Sequence, residues 1–260
     1  MENSTENSAL TNRAFLYGDA VHVSFFIHHG ALILAEECYF YLMASMRKMR
    51  LPIPLNYTLE FFQELFGEKV LSKGLSEGII HFLVFRKDNL SEVDFHFDFE
   101  EKQDLLGIQG DFELDLIKEL SVNTHFLSSI RVHSAENIYA EIYAKDNDLD
   151  DVIFLNPNKR IARTIFGNLL FLEGDLIKIP KTTEGAYISP LMESFVTFVH
   201  QNKLAEIQEV EMIAFESQKA EEIIMISDPK GIFAVTKIRN KTFSTNRFSG
   251  MISKWKQTFH

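Results

Sequence analysis

Few residues of this chain are of a type and spacing that could do chemistry. His81 and His96 fall on one face of a paired stretch that also carries Asp94, an imidazole and carboxylate set of the kind that holds zinc. The set lacks a cysteine or a further carboxylate, so no metal centre is expected from it. His28 and His29 are neighbours in an extended stretch, and the alternation of a strand sends neighbouring side chains to opposite faces. They are therefore not expected to chelate together. Cys38 is the one cysteine; no histidine spacing supports a nucleophile, and a small buried residue is expected. The acidic runs Glu100–Asp104 and Asp146–Asp151 read as solvated loops, and Asp148–Asp151 lacks the glycine and spacing of an EF-hand. Met43, Met46 and Met49 read as helix packing.

The elements that must position such residues are legible from period and punctuation. Arg13 to Ile33 reads as strands, with Ala20–His28 rich in Val and Phe and His29-Gly30 as a hairpin turn. Glu36–Arg50 reads as a helix with Tyr39, Leu42, Met43 and Met46 on one face, stopped by Leu51-Pro52-Ile53-Pro54. Thr58 caps a second helix whose buried stripe is Phe61, Phe62, Leu65 and Phe66. A hairpin follows, and one register pairs Ile80 with Phe97, Phe82 with Phe95 and Val84 with Val93. Its other face carries His81, Leu83, Phe85, Asp94 and His96. Later strands alternate with helices over Ser134–Asn147, Pro190–Asn202 and Arg247–Gln257. This order indicates α/β (α+β) architecture in two lobes.

Several segments carry a resemblance. Arg13-Ala-Phe-Leu-Tyr-Gly18-Asp19 opens the chain. Asp150-Asp151-Val-Ile-Phe-Leu155-Asn156 is followed by Arg160-Ile161, then by Asn168-Leu-Leu-Phe-Leu172-Glu-Gly174 and Glu184-Gly185. Lys219-Ala220-Glu221-Glu222 leads into a strand, with Gly231-Ile-Phe-Ala-Val235 behind it. In this order the series resembles the class IV (fold-type IV) aminotransferases, a family that includes branched-chain and D-amino-acid aminotransferases and aminodeoxychorismate lyase. The resemblance implies a two-lobed D-amino-acid-aminotransferase-like fold that binds pyridoxal 5′-phosphate (PLP), commonly as a homodimer. The lobes would span residues 1–122 and 131–260, joined by 123–130.

The resemblance also assigns positions, and the residues there depart from the family pattern. The Schiff-base lysine precedes a helix-start Asn, here Asn137, so its place is Ser134 or His133; neither forms an imine. Arg131 is the nearest cation, and a guanidinium is a poor nucleophile. Arg163 stands five residues before Asn168, where the family has a Glu for the ring nitrogen. The phosphate Arg of the first helix falls on Tyr41, with Cys38 at the accompanying His. The second phosphate segment is Ser189-Pro190-Leu191-Met192, where Pro190 has no N–H and Met192 replaces an Arg. The third donor falls on Asp228, a carboxylate. Like unit charges at 4 Å repel by about 4 kcal/mol at an effective dielectric of ~20.

The expectation is therefore a degenerate family member that has lost PLP chemistry and takes no cofactor. Its remnant cleft residues would be Tyr41, Arg131, Ser134, Arg163, Asn168, Pro190, Leu191 and Asp228, holding a small anionic metabolite or filled by side chains. The alternative is a PLP-dependent aminotransferase or aminodeoxychorismate lyase with a relocated lysine: Lys118, Lys178, Lys181 or Lys237. A purely structural dimer partner is a third reading.

Composition agrees with a soluble globular chain. Of 260 residues 46% are apolar and 24% charged, and 26 basic against 37 acidic residues give −11. That balance argues against nucleic acid or a membrane surface as partner. Met1–Leu10 is polar and unlike a secretory signal. With one cysteine, no disulfide framework is possible, and a cytoplasmic location is expected. Phenylalanine is abundant, at 24 residues.

Overall fold

Alternating apolar residues build the first of two compact units. The computed structural model describes residues 12–259, so the expectation about Met1–Leu10 lies outside the described residues. The first unit runs to Lys102 and takes back Ile130–His133; the second holds Gln103–Ser129 and Ser134 onward. In the first unit, helix α1 (Arg13–Tyr17) leads into strands β1 (Ala20–His28) and β2 (Ala31–Ile33). Helices α2 (Ala35–Lys48) and α3 (Leu59–Lys69) follow, then strands β3 (Gly78–Arg86) and β4 (Val93–Glu101). The sheet order is β2-β1-β3-β4, all antiparallel.

Arg13–Tyr17 is a helix, where the sequence suggests a strand. Asn12 caps it by accepting from the Ala14 N–H at 2.8 Å, and Gly18 closes it with φ of 63°. A five-residue segment carries too little period to reveal this.

The β3–β4 hairpin also departs from expectation. Phe82 faces Phe97, Ile80 faces Phe99 and Val84 faces Phe95, two residues away from the register read from the sequence. A slip of two leaves every side chain on its own face, so hydrophobic alternation cannot detect it. The turn decides instead. Asn89 accepts from the N–H groups of Ser91 and Glu92, and Lys87 N donates to Glu92 O at 2.9 Å, which starts pairing at Arg86 and Val93.

One face of this sheet meets α3 through an aromatic cluster. Phe82 contacts Phe25, Phe62, Phe66, Phe95 and Phe97 at centroid distances of 5.2–6.3 Å, mostly edge-on. Much of the phenylalanine excess thus lies in this core. Phe82→Ala is expected to cost about 3–5 kcal/mol, read as a lowered urea midpoint.

The second unit is a mixed nine-stranded sheet among the described residues. Its elements are β5 (Ile108–Ser121), α4 (Ala135–Asp146), β6 (Asp151–Leu155), β7 (Ile161–Thr164), β8 (Asn168–Glu173) and β9 (Leu176–Pro180). Then come α5 (Pro190–Gln201), β10 (Glu206–Val210), β11 (Glu222–Ser227), β12 (Gly231–Ile238), β13 (Lys241–Thr242) and α6 (Asn246–Lys256). The order is β10-β9-β8-β11-β12-β5-β6-β7, with β13 beside β12. β5 pairs in parallel with both β12 and β6, so residues 108–121 group with the second unit. Ala140 and Ala144 of α4 pack on Ile117, Val152 and Phe154. No helix among the described residues is long and apolar enough to cross a membrane.

Candidate functional site

Buried polar side chains hold the loops of the second unit. Asn168 forms a two-way amide clamp with Tyr187, donating to its carbonyl at 2.8 Å and accepting its N–H at 2.9 Å. Asn156 accepts from the N–H groups of Asn158 and Arg160 and donates to the Glu184 carboxylate at 2.6 Å. Gly185, with φ of 104°, lies where a Cβ would stand 3.2 Å from the Asn123 carbonyl, so only glycine fits easily. Glu222 accepts the N–H groups of Arg247 and Phe248, both at 2.9 Å, and so caps α6 from a distant strand.

These clamps set the positions the sequence singles out. Ser134 is the N-cap of α4: its hydroxyl accepts the Asn137 N–H at 3.3 Å and donates to Glu136 at 2.9 Å. Backbone and Ser134 hydrogen bonds, with the charge of Arg163, hold the Glu136 carboxyl below its ordinary pKa. His133 is exposed and falls in the first unit, as does the partly buried Arg131, whose carbonyl accepts the His22 N–H at 2.9 Å. Tyr41 is buried on α2 beside Cys38 and Leu42.

Arg163 is buried, only 5% exposed, on β7. Both terminal nitrogens donate to Asn137 Oδ1 at 3.1 Å, and Nη1 also donates to the Thr164 carbonyl at 2.9 Å. The guanidinium lies 4.2 Å from the Tyr187 ring centre and 5.0 Å from that of Phe154. Asn137 Nδ2 in turn donates to the Tyr187 hydroxyl at 3.0 Å. Arg163, Asn137 and Tyr187 therefore form one cluster.

Asp228 is 2% exposed and reaches the start of α5. Its Oδ1 accepts from Ser189 Oγ at 2.5 Å and from the Leu191 N–H at 3.3 Å. Ser189 Oγ accepts the Met192 N–H at 3.1 Å, and Pro190 occupies the first turn without an N–H to offer. A carboxylate thus takes the anion seat that a helix N-terminus provides. Burial, then the charges of Asp228 and Glu209, raise the pKa of nearby Glu193.

A phosphate-bearing carbonyl cofactor needs an amine, an acid at its ring nitrogen and donors for its phosphate. At the assigned positions the second unit offers a capping serine, a buried guanidinium and a carboxylate, and these do not fit PLP. Of the alternative lysines, Lys118 is exposed, while Lys178, Lys181 and Lys237 are ion-paired with Glu173, Glu211 and Glu113. Lys230 lies in the turn between β11 and β12, outside the motifs of the sequence. Its Nζ sits 3.2 Å from the Phe166 ring centre.

The first unit has a cavity of about 460 Å³ on the sheet face away from the aromatic core. Phe15, His22, Leu83, Phe85, His96 and His133 line it. His22, Leu83 and His96 are cross-strand partners, and Phe85 lies in the next row of that face. The His22 side chain keeps an exposed edge. Partial burial, then its neighbours Arg131, His133 and His81, lower its pKa.

His81, His96 and Asp94 lie in three different rows of the face, and His81 bonds Glu100 at 3.1 Å. One histidine expectation needs correction, that for His28 and His29. His28 and His29 do not diverge: His29 adopts φ of 51°, which breaks the strand alternation and brings the rings to 4.0 Å.

The acidic run ending at Asp151 is not wholly solvated either. Asp151 is fully buried, its Oδ1 accepting from Val152 N at 2.6 Å and Ile165 N at 2.9 Å. Burial pushes its pKa up to about 6 against these bonds. The folded state therefore holds this proton more tightly than the unfolded chain. The resulting stability is full below the unfolded value near 3.8 and is lost as pH rises through about 6, on the order of 3 kcal/mol. Asp151→Asn is expected to flatten the slope of thermal unfolding temperature against pH over that window.

Comparison with known proteins places the fold. The sequence pattern of the family described as amino-transferase class IV matches residues 42–238, and the chain belongs to that family. Comparison with curated proteins returns no significant match. Among solved structures, a protein assigned as a 4-amino-4-deoxychorismate lyase from Legionella pneumophila is similar, with a TM-score of 0.83 and 19% identity. That match covers 95% of this chain and 93% of the other. The branched-chain aminotransferase of the archaeon Thermoproteus uzoniensis, solved with norvaline, matches with TM-score 0.83 and 14% identity over 95% and 87%. That of Escherichia coli matches with TM-score 0.83 and 14% identity over 96% and 87%. The fold-type IV architecture expected from the sequence is thus the observed one.

Proposed function

We propose that this class IV aminotransferase-family chain does not carry out PLP chemistry and instead binds a small anionic metabolite. The observation that carries this reading is the Asp228 carboxylate seated on Ser189 Oγ and the Leu191 N–H at the start of α5. A phosphate brought to the same donors meets a buried negative charge rather than free N–H groups. The replacement at Ser134 and the buried guanidinium of Arg163 support the same reading. Arg163, with Asn137 and Tyr187, supplies a positive, aromatic cluster suited to a carboxylate, and Ser134 at the start of the same helix as Asn137 is a further contact. In this reading the protein is a cytoplasmic homodimer.

A further branched-chain aminotransferase of similar fold was solved with pyridoxamine 5′-phosphate and with N-(5′-phosphopyridoxyl)-L-glutamate, so PLP is the ligand to test. The purified protein, mixed with PLP and desalted, is expected to stay colourless and retain no phosphate. Asp228→Asn removes the negative charge and is expected to tighten PLP or inorganic phosphate binding by at least tenfold, measured by calorimetry. Visible absorbance that borohydride fixes to a lysine, mapped by mass spectrometry, would overturn the proposal in favour of a transferase or lyase with a relocated lysine. Lys230 would then join the four lysines to be substituted.

A further inference from the structure

We propose that His28, His29 and Glu77 form a binding site for a late first-row divalent cation, zinc foremost, at the tip of the β1–β2 hairpin. One ligand atom from each residue lies within 4.8 Å of the others, a grouping found at no other place among the described residues. Three features of the chain bring them together. The antiparallel register that pairs Ile27 with Gly78 puts His28 and Glu77 next in line, on the same face. The turn residues His29 and Gly30 both have positive φ, 51° and 74°, the geometry of a type I′ turn. That turn folds the His29 ring back onto His28, with centroids 4.0 Å apart. The Gly30 N–H then donates to the Ser76 carbonyl at 2.8 Å, which ties the tip to the segment that carries Glu77.

The donor set selects the ion. Two imidazoles and one carboxylate suit zinc and its neighbours, whereas magnesium and calcium prefer all-oxygen sets. His28 Nδ1 stands 2.9 Å from each oxygen of Glu77. Ligands of a tetrahedral zinc at bond lengths near 2.0–2.1 Å are about 3.3 Å apart, so a small opening of this pair admits the ion. The burial gradient also suits a site. His28 is buried at 1% exposure, while His29 lies in solvent, giving the ion a route in and leaving its fourth position to water. The Glu77 carboxylate is held in turn by the His29 N–H at 3.2 Å, which fixes its orientation.

A plain ion pair between His28 and Glu77 that anchors the hairpin is the competing account, and it gives the His29 ring no part. The test therefore turns on His29, whose exposed ring can be removed without disturbing the core. The full chain is stripped with a chelator and titrated with Zn²⁺ by calorimetry at neutral pH. Co²⁺ is added in parallel as a spectroscopic probe. One equivalent of Zn²⁺ is expected, with visible Co²⁺ bands of tetrahedral intensity. His29→Ala and Glu77→Gln should each weaken Zn²⁺ by at least tenfold. His29→Ala should do so with the metal-free unfolding temperature unchanged, and His96→Ala should leave binding intact. Absence of a saturable equivalent, or a wild-type affinity in His29→Ala, would overturn the proposal.

Discussion

A polar group removed from water must find a partner, and the second unit is arranged around that requirement. Its loops run between buried strands, and four of them are tied by a side chain that accepts backbone N–H groups. Asp151 serves the turn after β7, Asn156 the turn after β6, Asn168 the approach to α5, and Glu222 the start of α6. These groups lie at 0–3% exposure, where an unmade hydrogen bond costs about 1–3 kcal/mol. The apolar sheet supplies the adhesion, and these four side chains fix which loop conformation is compatible with it.

Asp228 belongs to the same set of devices. It saturates the end of a helix, as Glu222 does for α6, and the two lie at either end of β11. Arg163 is the positive counterpart: its guanidinium is satisfied by an amide oxygen and a carbonyl and flanked by two rings. At these positions the second unit uses charged side chains as internal struts.

Much of this was legible in the sequence because it rests on period and on residue type. The alternation in β3 and β4 fixed their faces, the stripe of α3 fixed its buried side, and Thr58, Ser134 and Ser189 all sit at helix starts. The ordered motifs from Asp150 to Val235 pointed to the family to which the chain belongs. What stayed hidden depends on backbone angles or on distant partners. The positive φ of His29 overrides strand alternation, the Asn89 turn sets a register that hydrophobicity cannot distinguish, and α1 is too short to show a helical period. The burial of Asp151 was hidden for another reason: it stands at the end of an acidic run, and only the strand that begins there carries it inward.

The carboxylate at the start of α5 also bears on how the chain folds. A helix end that waits for a dissolved anion gains stability by mass action, in proportion to the logarithm of the anion's concentration. Asp228 is attached to the chain, thirty-nine residues from Ser189, so its effective concentration is set by geometry and is always present. The end of α5 is therefore completed wherever β11 is in place, and its stability is independent of supply from the surrounding solution.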